Sequence, residues 1–223
     1  MTKSKASDAP ITLILIHHAI SRGLETGIRY SERFAREGYP DRATGMSFAL
    51  YLRTLTGILH LHHSAEDEIA FPFLREKVPN LPFDALIAEH EQMEVILEEL
   101  AGVLDNLHGE PGEEPLLKAV RGALAGLADI WPGHIDVEEQ GISVARLEAM
   151  VGAEELAGWL AKMGQHRTEG APPDPVGIPF ILYNLPAEER AIMAAHMPPA
   201  VSQELVPGPW KEHWGPMMPF LLE

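Results

Sequence analysis

The chain has 223 residues, 46% of them apolar, no cysteine, and a formal net charge of −16 at pH 7. That length suits one large domain, or a core domain with an extension, and allows a substantial buried interior. The missing cysteine excludes disulfides, thiolate zinc sites, iron–sulfur clusters and cysteine nucleophiles, and strong negative charge without a basic stripe argues against nucleic acid and anionic membrane surfaces.

Residues 1–10 are small and polar and read as a disordered arm. The apolar run "ITLILI" at 11–16 is short, leads straight into His17 and His18, and has no cleavage site of small residues, so it does not read as a signal peptide. No apolar run approaches the ~20 residues of a membrane-spanning helix, and the expected location is the cytoplasm. From residue 11 to about 150, apolar residues recur every three or four positions. The segments are separated by "EGYPDRATG", "VPNLPFD" and "HGEPGEEP", which carry turn chemistry. Four helices with short connections predict an all-α, up-down-up-down four-helix bundle. Period-2 alternation is almost absent, so no sheet is expected.

Beyond residue 150 the texture changes. "AEELAGWLAKMGQH" predicts an amphipathic helix, and "EGAPPDPVGIP" breaks the chain. A further helix is expected over "AEERAIMAAHM", started near Asn184 and Pro186 and stopped by Pro198 and Pro199. The tail "VPGPWKEHWGPMMPFLLE" is too rich in proline for a long helix and too apolar for a free end. Residues 151–223 are therefore expected to form a helical and irregular extension that packs on the bundle near the site and limits access to it. The alternative for the same surface is a homodimer contact.

Each of the four predicted helices carries a histidine on its apolar stripe. The first stripe runs Leu13, His17, Ile20, Leu24; the second includes Leu55, Leu59, His62, Glu66, Ile69. The third runs Leu86, His90, Met93, Leu97, and the fourth Leu127, Trp131, His134, Glu138. A lone inward histidine is ordinarily a hydrogen-bonded core residue. Four of them with two glutamates would place six polar groups in one core, at a cost of roughly 2–7 kcal/mol each if unpaired. A metal resolves this by accepting their lone pairs. In His62–Glu66 and His134–Glu138 the two side chains lie one turn apart on one face. A carboxylate can bridge two cations, whereas an imidazole binds one, so the set suits a dinuclear site with open positions for a small ligand.

The ordered set of His17, "HHSAEDEIAFP" with His62-x-x-x-Glu66, "EH" at Glu89–His90, and "HIDVEE" with His134-x-x-x-Glu138 resembles the hemerythrin-like HHE cation-binding domain over roughly residues 10–150. The resemblance implies a non-heme di-iron centre, oxo-bridged in form, that binds O2 or handles NO or peroxide. Carried over by position, it makes His17, His62, His90 and His134 terminal ligands and Glu66 and Glu138 bridges. Oxygen-carrying relatives have a second histidine one turn after the third-helix ligand. Here that position is Glu94, which implies a seventh, carboxylate ligand and a shift towards redox chemistry. Pro132 and Gly133 precede His134, an awkward place for a straight helix.

His18, His63 and Asp67 lie about 100° around from the stripes and read as solvated or boundary residues. The alternatives give His18 the place of His17 and make His63 or Asp67 a hydrogen-bond partner of a ligand. His60 is expected to meet water, and Glu139 is the nearest rival of Glu138. Three functions fit this reading: a carrier or sensor of O2 or NO, an enzyme that reduces peroxide or activates oxygen, and an iron store or a site filled by zinc or manganese. The redox partner is not legible.

Overall fold

The computed structural model describes residues 9–142, 147, 150–167 and 170–222. The predicted arm falls, over residues 1–8, outside these. Four long segments carry the fold: α1 (Ala9–Glu37), α2 (Arg42–Ala65), α4 (Phe83–Leu104) and α5 (Glu114–Ile142). Between α2 and α4, a π-helical turn (Glu66–Ala70) runs directly into α3 (Phe71–Lys77). Among the described residues there is no strand, as the lack of period-2 alternation led us to expect, and no helix is long and apolar enough to cross a membrane.

Local chemistry sets the ends of these helices. Gly38 (φ 74°) closes α1, with its N–H on the Phe34 carbonyl at 2.9 Å, in the left-handed conformation that only glycine adopts without cost. Asp41 caps α2 by accepting from the Thr44 N–H at 2.7 Å. Before α5, Glu113 accepts the N–H groups of His108 (2.8 Å) and Gly109 (3.1 Å) and the Tyr39 hydroxyl (3.0 Å). This ties the α4–α5 connection to the one between α1 and α2. Pro132 does not interrupt α5, which continues through it to Ile142. The lost N–H costs one rung of the ladder, and packing on both α1 and α4 offsets it.

Contacts run from α1 to α2, from α2 to α4, from α4 to α5, and from α5 back to α1. The enclosed core includes Ile20, Phe48, Leu52, Leu59, Met93, Leu124 and Trp131. The chain then forms α6 (Ala153–Gln165), α7 (Asp174–Tyr183), α8 (Ala187–Ala195), a second π segment (Ala200–Leu205), α9 (Lys211–Trp214) and a 3₁₀ turn (Gly215–Phe220). Helix α7 departs from the expected break. Pro175 stands in its first turn, where a missing N–H has no partner to lose, and Phe180 and Leu182 bury its apolar face. Helix α7 lies on α1 and α2, and the 3₁₀ turn lies on α2. Phe220 is seated among Tyr30, Phe48 and Tyr51, with ring centroids at 4.9, 5.3 and 5.6 Å.

Candidate metal centre

The four stripe histidines and two stripe glutamates converge where the last turn of α2 and the start of the π turn meet α1, α4 and α5. His17, His62, Glu66, His90, His134 and Glu138 are all buried, none more than 6% exposed. His62 Nε2 lies 3.2 Å from Glu66, and His134 Nε2 lies 3.2 Å from Glu138. Across helices, His17 Nε2 is 3.4 Å from Glu138, and His90 Nε2 is 3.5 Å from Glu66 and 2.9 Å from His134 Nε2. Two groups with donor atoms all within 4.8 Å of one another result: His17, His62, Glu66 and Glu138, and Glu66, His90, His134 and Glu138. They share both glutamates.

Whether these residues suit a cation can be tested on their own geometry. The Nε2 atoms of His17 and His62, Oε2 of Glu66 and both carboxylate oxygens of Glu138 are closed to solvent and have no hydrogen-bond partner. Leaving such groups unpaired is expensive. Bonds of ~2.0–2.2 Å to a first-row metal place neighbouring donors about 3 Å apart, the spacing seen here. All donors are nitrogen or oxygen, a set that imidazole-binding metals accept. The residues therefore fit a metal site.

Outer carboxylates fix how the rings face. Nδ1 of His17 donates to Glu139 (2.9 Å), Nδ1 of His90 to Asp67 (2.8 Å) and Nδ1 of His134 to Glu89 (2.9 Å). With the proton held on Nδ1, each Nε2 lone pair is turned inward, an arrangement that orients metal-binding imidazoles and raises their basicity. Trp131 covers one side, its ring centroid 5.7 Å from His17, 5.6 Å from His62 and 6.1 Å from His134. Its indole N–H donates to Ser21 Oγ at 2.8 Å.

The charges in the cluster oppose one another. Burial works against a charged His17, but Glu139, Glu66 and Glu138 outweigh it and hold its pKa up to about 9. Burial and the neighbouring imidazoles push His62 well below its ordinary value. Glu66 is raised by burial and by the Glu138 carboxylate, whereas Glu138 is held low against burial by His134 and His17. A cation in each of the two donor groups would replace these competing protons with a favourable partner for every one of the six side chains.

The π turn begins at Glu66 itself. The Phe71 N–H reaches back to the Glu66 carbonyl, five residues away, and Pro72 next in line has no N–H to continue a regular ladder. Several expectations need revision. His63 is buried, 1% exposed, and stacks on His90 at 4.2 Å with 20° between planes. It is no boundary residue, because α4 covers that side of α2. Glu94 stands outside both groups and pairs with His60 (2.9 Å) and His63 (3.2 Å). His60 thus meets a carboxylate as well as solvent. His18 is exposed and pairs with Glu189 at 3.1 Å, so His17 is the inward member of that pair. Glu89 and Glu139 as ring-orienting partners are invisible to helical spacing, since each serves a histidine on another helix.

The sequence model of the hemerythrin HHE cation binding domain matches residues 12–143, more than half of the chain. No curated protein and no solved structure matches it.

Proposed function

Since the chain belongs to the hemerythrin HHE cation-binding family, we propose that it holds two iron ions and uses them to take up a small oxidant or gas: O2, NO or peroxide. The observation that carries this reading is that two cation-sized donor groups share Glu66 and Glu138. In this reading His17 and His62 would hold one ion, His90 and His134 would hold the other, and Glu66 and Glu138 would serve both. The closed ring of contacts among α1, α2, α4 and α5 supports an up-down-up-down four-helix bundle as the frame.

When bound, the metals supply open coordination positions and electrons for the incoming molecule. The chain supplies the rest. Glu139, Asp67 and Glu89 keep the Nδ1 protons in place. Trp131 and the surrounding apolar side chains exclude water. Metal analysis of the purified protein tests the proposal, with two irons per chain and visible charge-transfer absorption expected. Zinc alone, or one ion per chain, would overturn it.

A second reading, an enzyme that reduces peroxide or activates oxygen towards an organic substrate, is favoured by an apolar cavity that meets the cluster at His62. Exposing anaerobically reduced protein to oxygen and then to peroxide separates the two. A carrier gives a stable spectrum, and an enzyme gives turnover.

A further inference from the structure

A cavity of about 470 Å³ lies between the first two helices and the C-terminal extension, within the range typical of sites for small organic molecules. Helices α1 and α2 contribute Leu13, Ile16, Ile58 and Leu61 to its wall, and α7 contributes Ile178 and Ile181. Met163, Met193 and Met197 also line it. Unbranched, polarizable methionines adapt to ligands of different outline. Among the six clustered side chains, His62 alone lines this space.

His62 apart, whose Nε2 has no hydrogen-bond partner, the charged and imidazole groups that line the cavity are engaged with the protein. Arg167 donates to Asp174 (2.6 Å) and to the Pro172 carbonyl (2.7 Å). His166 Nε2 lies 3.0 Å from Ser64 Oγ, and His196 Nδ1 donates to the Ile192 carbonyl at 2.9 Å. Arg167, the one lysine or arginine among the described lining residues, is thus neutralised by its neighbour, and a net charge of −16 repels anions at long range. The walls, however, lose water favourably when an apolar molecule fills them.

From this arrangement we infer that the cavity binds an uncharged, largely apolar organic molecule, seated with one end against the His62 imidazole and enclosed by α6, α7 and α8. The inference rests on the metal reading only for what the ligand would meet beyond His62; the cavity and its chemistry stand independently.

1-Decanol serves as the probe and decanoate as its charged counterpart, with the full-length protein as purified and its metal content measured on the same sample. Decanol is expected to bind saturably by calorimetry and to raise the melting temperature by mass action, with decanoate binding more weakly. Ile178→Trp and Met163→Trp fill the cavity from different helices. Each should remove decanol binding while leaving metal content unchanged. Bound decanol should also slow metal extraction by a chelator several-fold, because it lies against a ligand.

Absence of saturable binding, undiminished binding in both filled variants, or tighter binding of decanoate overturns the proposal. An extraction rate indifferent to decanol overturns the placement against His62. Saturable binding in a sample that carries no iron supports the cavity and overturns the iron reading instead.

Discussion

Each imidazole has two nitrogens, and in three of the clustered histidines the outer one already holds a carboxylate. Asp67 makes the point most clearly, because it sits one residue after Glu66 yet serves His90 on another helix. Asp67→Ala should leave the fold intact and weaken metal binding about 10–100-fold, read by competition with a chromophoric chelator; unchanged affinity would show that the hydrogen bond has no orienting role. The inner nitrogens carry a harsher expectation. His62→Ala and His134→Ala should each lose most of the bound metal, and full occupancy in either would refute the assignment. His213, exposed and 3.3 Å from Glu212, is the control: its replacement by alanine should change nothing. The six inward side chains were legible because each falls in step with the apolar stripe of its own segment, and two of the histidines have a glutamate four residues on, on the same face. Glu89 and Glu139 were not, since the proton each one holds belongs to a ring on another helix, and pairing between helices leaves no mark on spacing within one.

At the scale of elements, the connection before α5 is held by a single carboxylate. Glu113 accepts two backbone N–H groups and the Tyr39 hydroxyl, and although burial raises its pKa, these donors lower it below the usual range of a glutamate. A carboxyl whose folded pKa is depressed stabilises the fold above its unfolded pKa and loses that contribution as pH falls through the folded value. Glu113→Gln should therefore cost about 1–3 kcal/mol near neutrality, and the gap to the parent should narrow as the pH is lowered below 4. Melting temperatures across pH check this, and a gap that does not vary with pH would sink it. Two elements resisted reading from sequence for related reasons. Helix α7 hides behind its prolines because one of them occupies a first turn, where proline is tolerated. The π turn hides because nothing in a periodicity of 3.6 announces a rung of five. The long helices were legible because their stripes are long and their breaks rich in Gly, Pro and Asp.

For the molecule as a whole, the cluster makes stability depend on its ligand. Chelation should lower the melting temperature, since a cation that binds only the folded chain adds its binding energy to the fold, and removal returns at least five buried polar atoms to an unpaired state. Equal melting temperatures with and without chelator would count against a site in the core. The extension is tied in at two places: over the cavity by the helices from 153 to 195, and at the aromatic cluster by Phe220. Cutting the chain after residue 165 would remove Phe180, Trp214, Met217 and Phe220 from the main core, so a loss of metal in that variant would report unfolding as much as opened access. Point substitutions that fill the cavity are the cleaner probe. Phe220 also sets an order in time. Its ring closes against Tyr30, Phe34 and Phe48, all of which leave the ribosome long before it. A chain still being synthesised beyond α5 has every metal-binding side chain in hand and an aromatic core still open at one end. A cation captured at that stage would sit in a loosened frame, so ribosome-bound chains stalled short of residue 214 should exchange their metal faster than chains whose Phe220 is seated in the aromatic cluster.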